Sequence, residues 1–301
     1  MVIALALSKR VKIQNACARN LENKSQIQNL KDFVDADFTI RKNNMEKIFN
    51  AKNELENIVN FIRDYYKKCN LGGAVIGLSG GKDSGVALGV LVKALGSENV
   101  IAVTLPCHSG EEDKLLAEKV AEHFGVKTYN LDLTNVNDEF EKSFEKTHGK
   151  INKDDLKNSN INLKPRLRMA SLYYYSAMLS SVKKVPYLVA GTSNKCELYV
   201  GYFTKGGDQV CDIAILSSFT VSEVIEIGKE LGVPESVLFR APSDGLSGQT
   251  DEDKLGVTYA DIEKVINGTL TSGDVYEKIQ KMHAAASHKF SVPSYQRKEN
   301  C

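Results

Sequence analysis

Eight consecutive residues, Gly77-Leu78-Ser79-Gly80-Gly81-Lys82-Asp83-Ser84, bring glycines, two hydroxyls, an ammonium and a carboxylate into one short turn. An apolar run, Ala74 to Ile76, precedes it, and a helix-forming stretch, Val86 to Leu95, follows. A buried strand, a glycine-rich turn and a helix in that order make an anion site, because the N–H groups and the dipole at a helix start both favour negative charge. The spacing excludes a Walker loop, which needs Lys-Ser or Lys-Thr after Gly and four spacers, and a Gly-x-Gly-x-x-Gly dinucleotide turn. Asp83 lies inside the turn, where it repels a phosphate unless a cation lies between them. Mg²⁺ bridging carboxylate and phosphate oxygens satisfies both. Helix capping by Ser79 and Asp83 is the alternative use of the same residue types.

The elements that must hold this turn are legible on both sides of it. Ile48, Leu55, Ile58, Val59, Ile62 and Tyr66 recur at helical spacing from Met45 onward, which predicts an amphipathic helix. Val100 to Leu105 reads as a buried strand. Glu111 to Phe124 reads as a helix with Leu115, Leu116, Ala117, Val120 and Phe124 on one face, and Thr128 to Asp132 as another strand. Phe140 and Phe144 mark a further helix. Residues 149–164 are polar and read as a linker, after which Pro165 opens a long helix. A strand is expected at Pro186 to Ala190 and a last helix at Ser272 to Ala286, ending in His288-Lys289-Phe290. Strands alternating with helices predict an α/β fold: a doubly wound parallel sheet flanked by helices, with ligands at the carboxyl ends of the strands. Residues 1–44, Asn-rich and without sustained periodicity, are expected to form a peripheral N-terminal extension to a domain at 45–301.

Composition narrows the partners. The chain has 301 residues, 42% of them hydrophobic, which is enough for a full core. A net charge of +1 gives no global field to recruit nucleic acid or an anionic membrane, so small-molecule substrates are expected. The apolar run Val2 to Leu7 is too short to span a bilayer and lacks the flanks of a secretory signal. Cys17, Cys69, Cys107, Cys196, Cys211 and Cys301 form no Cys-x-x-Cys pair, so neither a metal clip nor a disulfide framework is expected. These features describe a reduced, cytoplasmic protein.

The octapeptide resembles the pyrophosphate-binding loop of the ATP pyrophosphatase superfamily, Ser-Gly-Gly-x-Asp-Ser. That likeness implies AMP-forming chemistry in place of γ-phosphate transfer, on an adenine nucleotide alpha hydrolase-like sheet. Further segments follow in order: Lys164-Pro-Arg-Leu-Arg-Met169, Gly191-Thr-Ser-Asn-Lys-Cys-Glu197, Gly201-Tyr-Phe-Thr-Lys-Gly-Gly-Asp208 with Asp212 beyond, Ala241-Pro-Ser-Asp-Gly-Leu246 running to Gln249-Thr-Asp-Glu252, and His288-Lys289-Phe290. Together they look like the motif series of the NAD synthetases, from about Met45 to about Tyr295.

The resemblance implies that Asp83 and Glu197 hold Mg²⁺ and serve catalysis, a hard all-oxygen pair that leaves positions for water and phosphate. It implies ATP contacts from Gly77, Leu78, Ser79, Gly80, Gly81, Lys82, Asp83, Ser84, Thr192 and Ser243. It assigns nicotinic acid adenine dinucleotide (deamido-NAD) to Arg166, Lys205, Asp212, His288 and Lys289, with Arg168 as a competitor of Arg166. Three cations suit a pyrophosphate and a carboxylate. Tyr202 and Phe203 read equally as stacking partners of the nicotinate ring and as core aromatics. The implied reaction has two steps. The nicotinate carboxylate attacks the α-phosphorus of ATP and releases pyrophosphate, and ammonia then attacks the NAD-adenylate to give NAD and AMP. A homodimer is implied as well.

One position departs from the family. Nine residues after Asp212, where the family often has an ATP-binding Lys, the chain has Val221, and Lys82 is the expected substitute. Residues 45–295 leave no room for a glutamine-hydrolysing unit, so free ammonia is the expected donor. A tRNA-modifying ATP pyrophosphatase would use the same loop but calls for a basic RNA surface. A non-catalytic nucleotide-binding module needs neither Glu197 nor the 201–212 segment.

Overall fold

The structure, a computed structural model, describes residues 49–240 and 250–295. The expected extension at 1–44, Ile48 and Ser243 lie outside the described residues. Five strands form one all-parallel sheet: β1 (Gly73–Gly77), β2 (Val100–Thr104), β3 (Thr128–Asn130), β4 (Tyr187–Gly191) and β5 (Ile213–Ala214). Their order is β3-β2-β1-β4-β5, with Ile76 of β1 opposite Ala102 on one side and Ala190 on the other. Ala74, Val75 and Ile76 are fully buried, as a strand covered on both faces requires. The chain winds outward from β1 to β3 and then returns to the other side of β1. The crevice above β1 and β4 is therefore the switch point where such sheets bind ligands.

The described residues form eleven α-helices. α1 is Ala51–Cys69, α2 Lys82–Leu95, α3 Glu111–His123, α4 Thr134–His148, α5 Lys153–Lys183 and α6 Lys195–Val200. α7 is Val221–Leu231, α8 Glu235–Leu238, α9 Asp251–Leu255, α10 Tyr259–Ile266 and α11 Asp274–Phe290. Helices α1, α2 and α7 pack on one another on one side; α5 packs on β1 and β4 and against α4. The Asn50 side chain starts α1 by accepting from Asn53 N at 3.0 Å, and Leu55, Ile58, Val59, Ile62 and Tyr66 bury the predicted face. A second apolar cluster joins Cys196 and Val200 of α6 to Tyr259, Ile262 and Val265 of α10 and Ile279 of α11.

Several sequence expectations need correction. Residues 149–164 are mostly helix, not linker: Asn152 accepts from Asp154 N at 3.1 Å, and α5 runs from Lys153 straight through Pro165. The proline has no N–H to give the carbonyl four residues back. Its ring instead packs on Gly207, where an added Cβ would come within 3.1 Å of the Pro165 Cβ. In α3 the inward residues are Ala117, Val120 and Ala121, while Leu115 is 57% exposed, because a helix lying flat on a sheet buries a narrow stripe. Helix α4 forms where expected, yet Phe140 and Phe144 face outward. β3 ends at Asn130, before Asp132, and α11 continues through His288 and Lys289. Among the described residues no helix is long and apolar enough to cross a membrane.

Candidate active site

A cavity of about 1140 Å³ opens at the carboxyl ends of β1, β2 and β4. Its centre is the turn after β1. Leu78 N donates to Val103 O at 2.9 Å, carrying the sheet one residue past β1. Gly80 then turns the chain at φ +80°, and a Cβ there would meet Asp113 O at 2.4 Å, so only glycine fits. The Ser79 and Ser84 hydroxyls share a 3.1 Å hydrogen bond; Gly81 N donates to Ser79 Oγ and Ser84 Oγ to Gly81 O. These hydroxyls brace the loop, and α2 starts without a side-chain cap. Its first N–H groups are thus left for a ligand, and the capping alternative for Asp83 falls away.

A second loop, after β4, brings the other acid. Asn194 caps α6 by accepting from Glu197 N at 3.0 Å, and Glu197 Oε2 accepts in return from Asn194 N at 2.9 Å. The same Asn194 side chain, fully buried, donates through Nδ2 to Asp83 Oδ1 at 3.3 Å. One residue therefore holds both carboxylates, Asp83 through its side-chain amide and Glu197 through its main-chain N–H. Burial, and then repulsion from Asp83, pushes the Glu197 carboxyl above the usual carboxylate range. Asp83 Oδ2 receives Lys82 Nζ at 2.9 Å. Burial disfavours the Lys82 ammonium, but Asp83, with Glu197 and Asp251 beyond, outweighs it and holds that group above the ordinary lysine value.

Around this centre stand Asp208, Asp251 and Lys157, which received no role from the sequence, and Arg168, the expected competitor of Arg166. Asp208 accepts from Thr204 N at 2.8 Å and lines the cavity; burial raises its carboxyl, opposed by Lys289 and Arg168. It lay within the quoted 201–208 segment, and burial beside Glu197 is what sequence does not display. Asp251 accepts from the Tyr202 hydroxyl at 3.0 Å. Arg168, also on the cavity wall, donates to Leu105 O at 3.1 Å and Ser109 Oγ at 3.4 Å, tying α5 to the β2 loop. Lys157 and Lys164 line the wall from the part of α5 read as linker. The Asn152 cap with Asp154 and Asp155 in the first turn was the available signal.

The expected ATP residues Gly77, Leu78, Ser79, Gly81, Lys82, Asp83 and Thr192 line the cavity, and Gly80 and Ser84 shape the turn behind them. The expected deamido-NAD residues are dispersed. Lys289 lines the cavity and donates to the carbonyls of Gly201 and Phe203, both at 2.7 Å. Arg166 instead donates to Lys205 O at 3.2 and 3.3 Å, and Lys205 Nζ reaches His288 O at 2.5 Å, in a cluster beside the cavity. Asp212 takes the Tyr173 hydroxyl at 3.0 Å and Val189 N at 2.8 Å at the sheet edge. Phe203 is buried edge-on against Phe290, and both it and Tyr202 line the cavity. Val221 packs against the α6–α10 cluster and takes no part in the lining. Among the described residues no three His, Cys, Asp or Glu side chains converge as a metal cluster. A divalent ion here would rest on the two acids plus water and substrate oxygens, the arrangement Mg²⁺ favours.

This geometry has close relatives. The family model described as NAD synthase matches residues 54–297. The NH(3)-dependent NAD(+) synthetase of Carboxydothermus hydrogenoformans is 35% identical over 81% of this chain and 97% of its own, and that of Methanococcus aeolicus is 43% identical over 71% and 81%. Among solved structures, the NMN synthetase from Francisella tularensis is 34% identical with a TM-score of 0.73, covering 83% of this chain and 99% of that one. The NH3-dependent NAD synthetase from Campylobacter jejuni, 24% identical with a TM-score of 0.65 over 83% and 100%, shares the fold. A sheet with its phosphate turn at the switch point, two tethered acids and this match over most of its length place the chain in the NAD synthase family.

Proposed function

We propose that the chain, through residues 45–301, is an AMP-forming ligase that amidates deamido-NAD with ammonia to give NAD, in the cytoplasm. The observation that carries this reading is the delivery of Asp83 and Glu197, from the ends of two adjacent strands, to one uncapped helix start in one cavity. Mg²⁺ held by that pair would neutralise charge on the triphosphate of ATP. The loop N–H groups take the pyrophosphate as the nicotinate carboxylate bonds to the α-phosphorus. Ammonia then bonds to the acyl carbon, AMP leaves with its oxygen, and the amide is formed. No side chain needs to form a covalent bond; the cavity positions reactants and excludes water.

A homodimer is part of this reading. Tyr174, Met178 and Val182, spaced four apart on α5, form an apolar stripe exposed by 75%, 41% and 69%. A second copy covering α5 would also bring groups toward the Arg166–Lys205–His288 cluster, which lies outside the cavity of one chain.

A second reading, amidation of nicotinic acid mononucleotide, is favoured by the likeness to the Francisella NMN synthetase. The test incubates the chain with ATP, Mg²⁺ and ammonium plus either acid nucleotide and separates the products. AMP with NAD from the dinucleotide supports the first reading. AMP with the amidated mononucleotide alone supports the second, and ATP left intact with both rejects the pair.

A further inference from the structure

Burial of Lys82 poses a problem that the reaction does not explain. Its side chain is 7% exposed, and a buried ammonium is costly unless paired. Three acids surround it, Asp83 at 2.9 Å with Glu197 and Asp251 beyond, and the Tyr259 ring lies 5.6 Å from Nζ. Asp83 has two oxygens, and both are engaged: Oδ1 by Asn194 Nδ2 and Oδ2 by Lys82 Nζ. A divalent ion approaching this acid therefore meets an oxygen already paired with an ammonium, and two cations on one carboxylate repel.

We infer that the Lys82 ammonium is the resident counter-ion of the Asp83 and Glu197 pair, seated in the free protein on the oxygen that a divalent cation takes, so that binding of metal and nucleotide is an exchange of one cation for another. This rests on the reading of that pair as the metal site. The four-carbon stem allows the displaced ammonium to move. Lys82 lines the same cavity, so phosphate oxygens arriving with the metal are within its range as new partners. The exchange makes the nucleotide-free protein a poor metal binder and favours the metal entering with its nucleotide. Lys82 is thus a positioning residue that guards the charge of an empty site.

The experiment titrates the nucleotide-free full chain with Mn²⁺ alone, followed by electron paramagnetic resonance, and compares it with Lys82→Met and Lys82→Arg. Lys82→Met should bind Mn²⁺ about tenfold more tightly or better, about 1.4 kcal/mol. Lys82→Arg, which keeps the charge, should bind as the unaltered chain does, and adding Asp83→Asn to Lys82→Met should cancel the gain. Equal or weaker Mn²⁺ binding by a folded Lys82→Met overturns the inference. Should that variant fail to fold, the unaltered chain decides: the ε-ammonium resonance of Lys82, identified by its loss in Lys82→Arg, must shift on saturation with Mg²⁺, and an unmoved resonance overturns the inference. No nicotinate nucleotide enters either measurement. A chain that makes no NAD yet shows the Mn²⁺ gain loses the proposed activity and keeps the exchange.

Discussion

Asp83 and Glu197 line the cavity and are not members of the apolar core. Asp83→Asn and Glu197→Gln should each cut NAD formation by about a hundredfold or more, since a metal ion contributes several kcal/mol to such a step. Thermal unfolding should move little in Glu197→Gln, which keeps an oxygen for the Asn194 N–H, and should fall in Asp83→Asn, which leaves the buried Lys82 ammonium without its partner; full turnover in either would end the shared-metal reading. Val221→Lys tests a different point. The side chain is partly buried against the apolar cluster of α6, α10 and α11, away from the cavity. The added charge should therefore destabilise the fold by about 1–3 kcal/mol in urea titration without lowering the KM for ATP. Lys82→Ala, in contrast, should raise the KM for ATP, because the phosphates lose a partner. Both acids were visible in the sequence as members of short motifs. The role of Asn194, whose side chain holds Asp83 and whose main-chain N–H holds Glu197, was not, because a contact between positions 83 and 194 is made by the fold. The pairing of Lys82 with its own neighbour was hidden for the same reason: a side chain's direction is not written in its spacing.

Helices and turns show a different balance between what periodicity reveals and what packing decides. The α1 face was readable because five buried residues repeat at helical spacing. Leu115 misled because α3 buries its small residues and leaves a large one in solvent. Pro165 misled because a proline usually marks a helix start, whereas here α5 tolerates it within. Short helices near the site depend on caps. Thr258 accepts from Asp261 N at 3.1 Å to start α10, so Thr258→Ala should cost about 1 kcal/mol in chemical unfolding. Hydrogen bonds and Lys264 hold the Asp261 carboxyl below the usual aspartate range, and Thr250 does the same for Asp253. A depressed carboxyl stabilises above its unfolded value, near pH 4, and the contribution is lost as pH falls through the folded one. Thermal midpoints measured from pH 6 downward should therefore drop in acid, and less steeply in Thr258→Ala. At the turn, Gly80→Ala places a Cβ against Asp113 O at positive φ. Both stability and ATP binding should suffer, and a variant with unchanged ATP binding would mean that the turn has an alternative path.

The whole molecule follows one rule of parallel sheets: ligands gather where the winding reverses. Alternating strands and helices made that legible, since the order of elements is a property of the chain itself. Which residues meet across the cavity was less so, and the Arg166 cluster shows it by standing beside the cavity and not in it. Supplied with ammonium, the chain should form NAD, and with glutamine alone it should not; robust turnover on glutamine would refute the ammonia reading. Tyr174→Glu combined with Met178→Glu should give a monomer by light scattering if α5 is the dimer face, and an unchanged mass would move the interface elsewhere.

The sheet order also bears on synthesis. β1 pairs with β2 soon after both are made, but its other edge waits for β4, over a hundred residues later in the chain. Until Tyr187 to Ala190 leave the ribosome, the central strand presents an open row of N–H and C=O groups, and such long-range pairing is slow. A nascent chain halted before β4 therefore exposes an edge of its central strand, so a fragment ending at Lys184 should aggregate or recruit chaperones where the full chain does not.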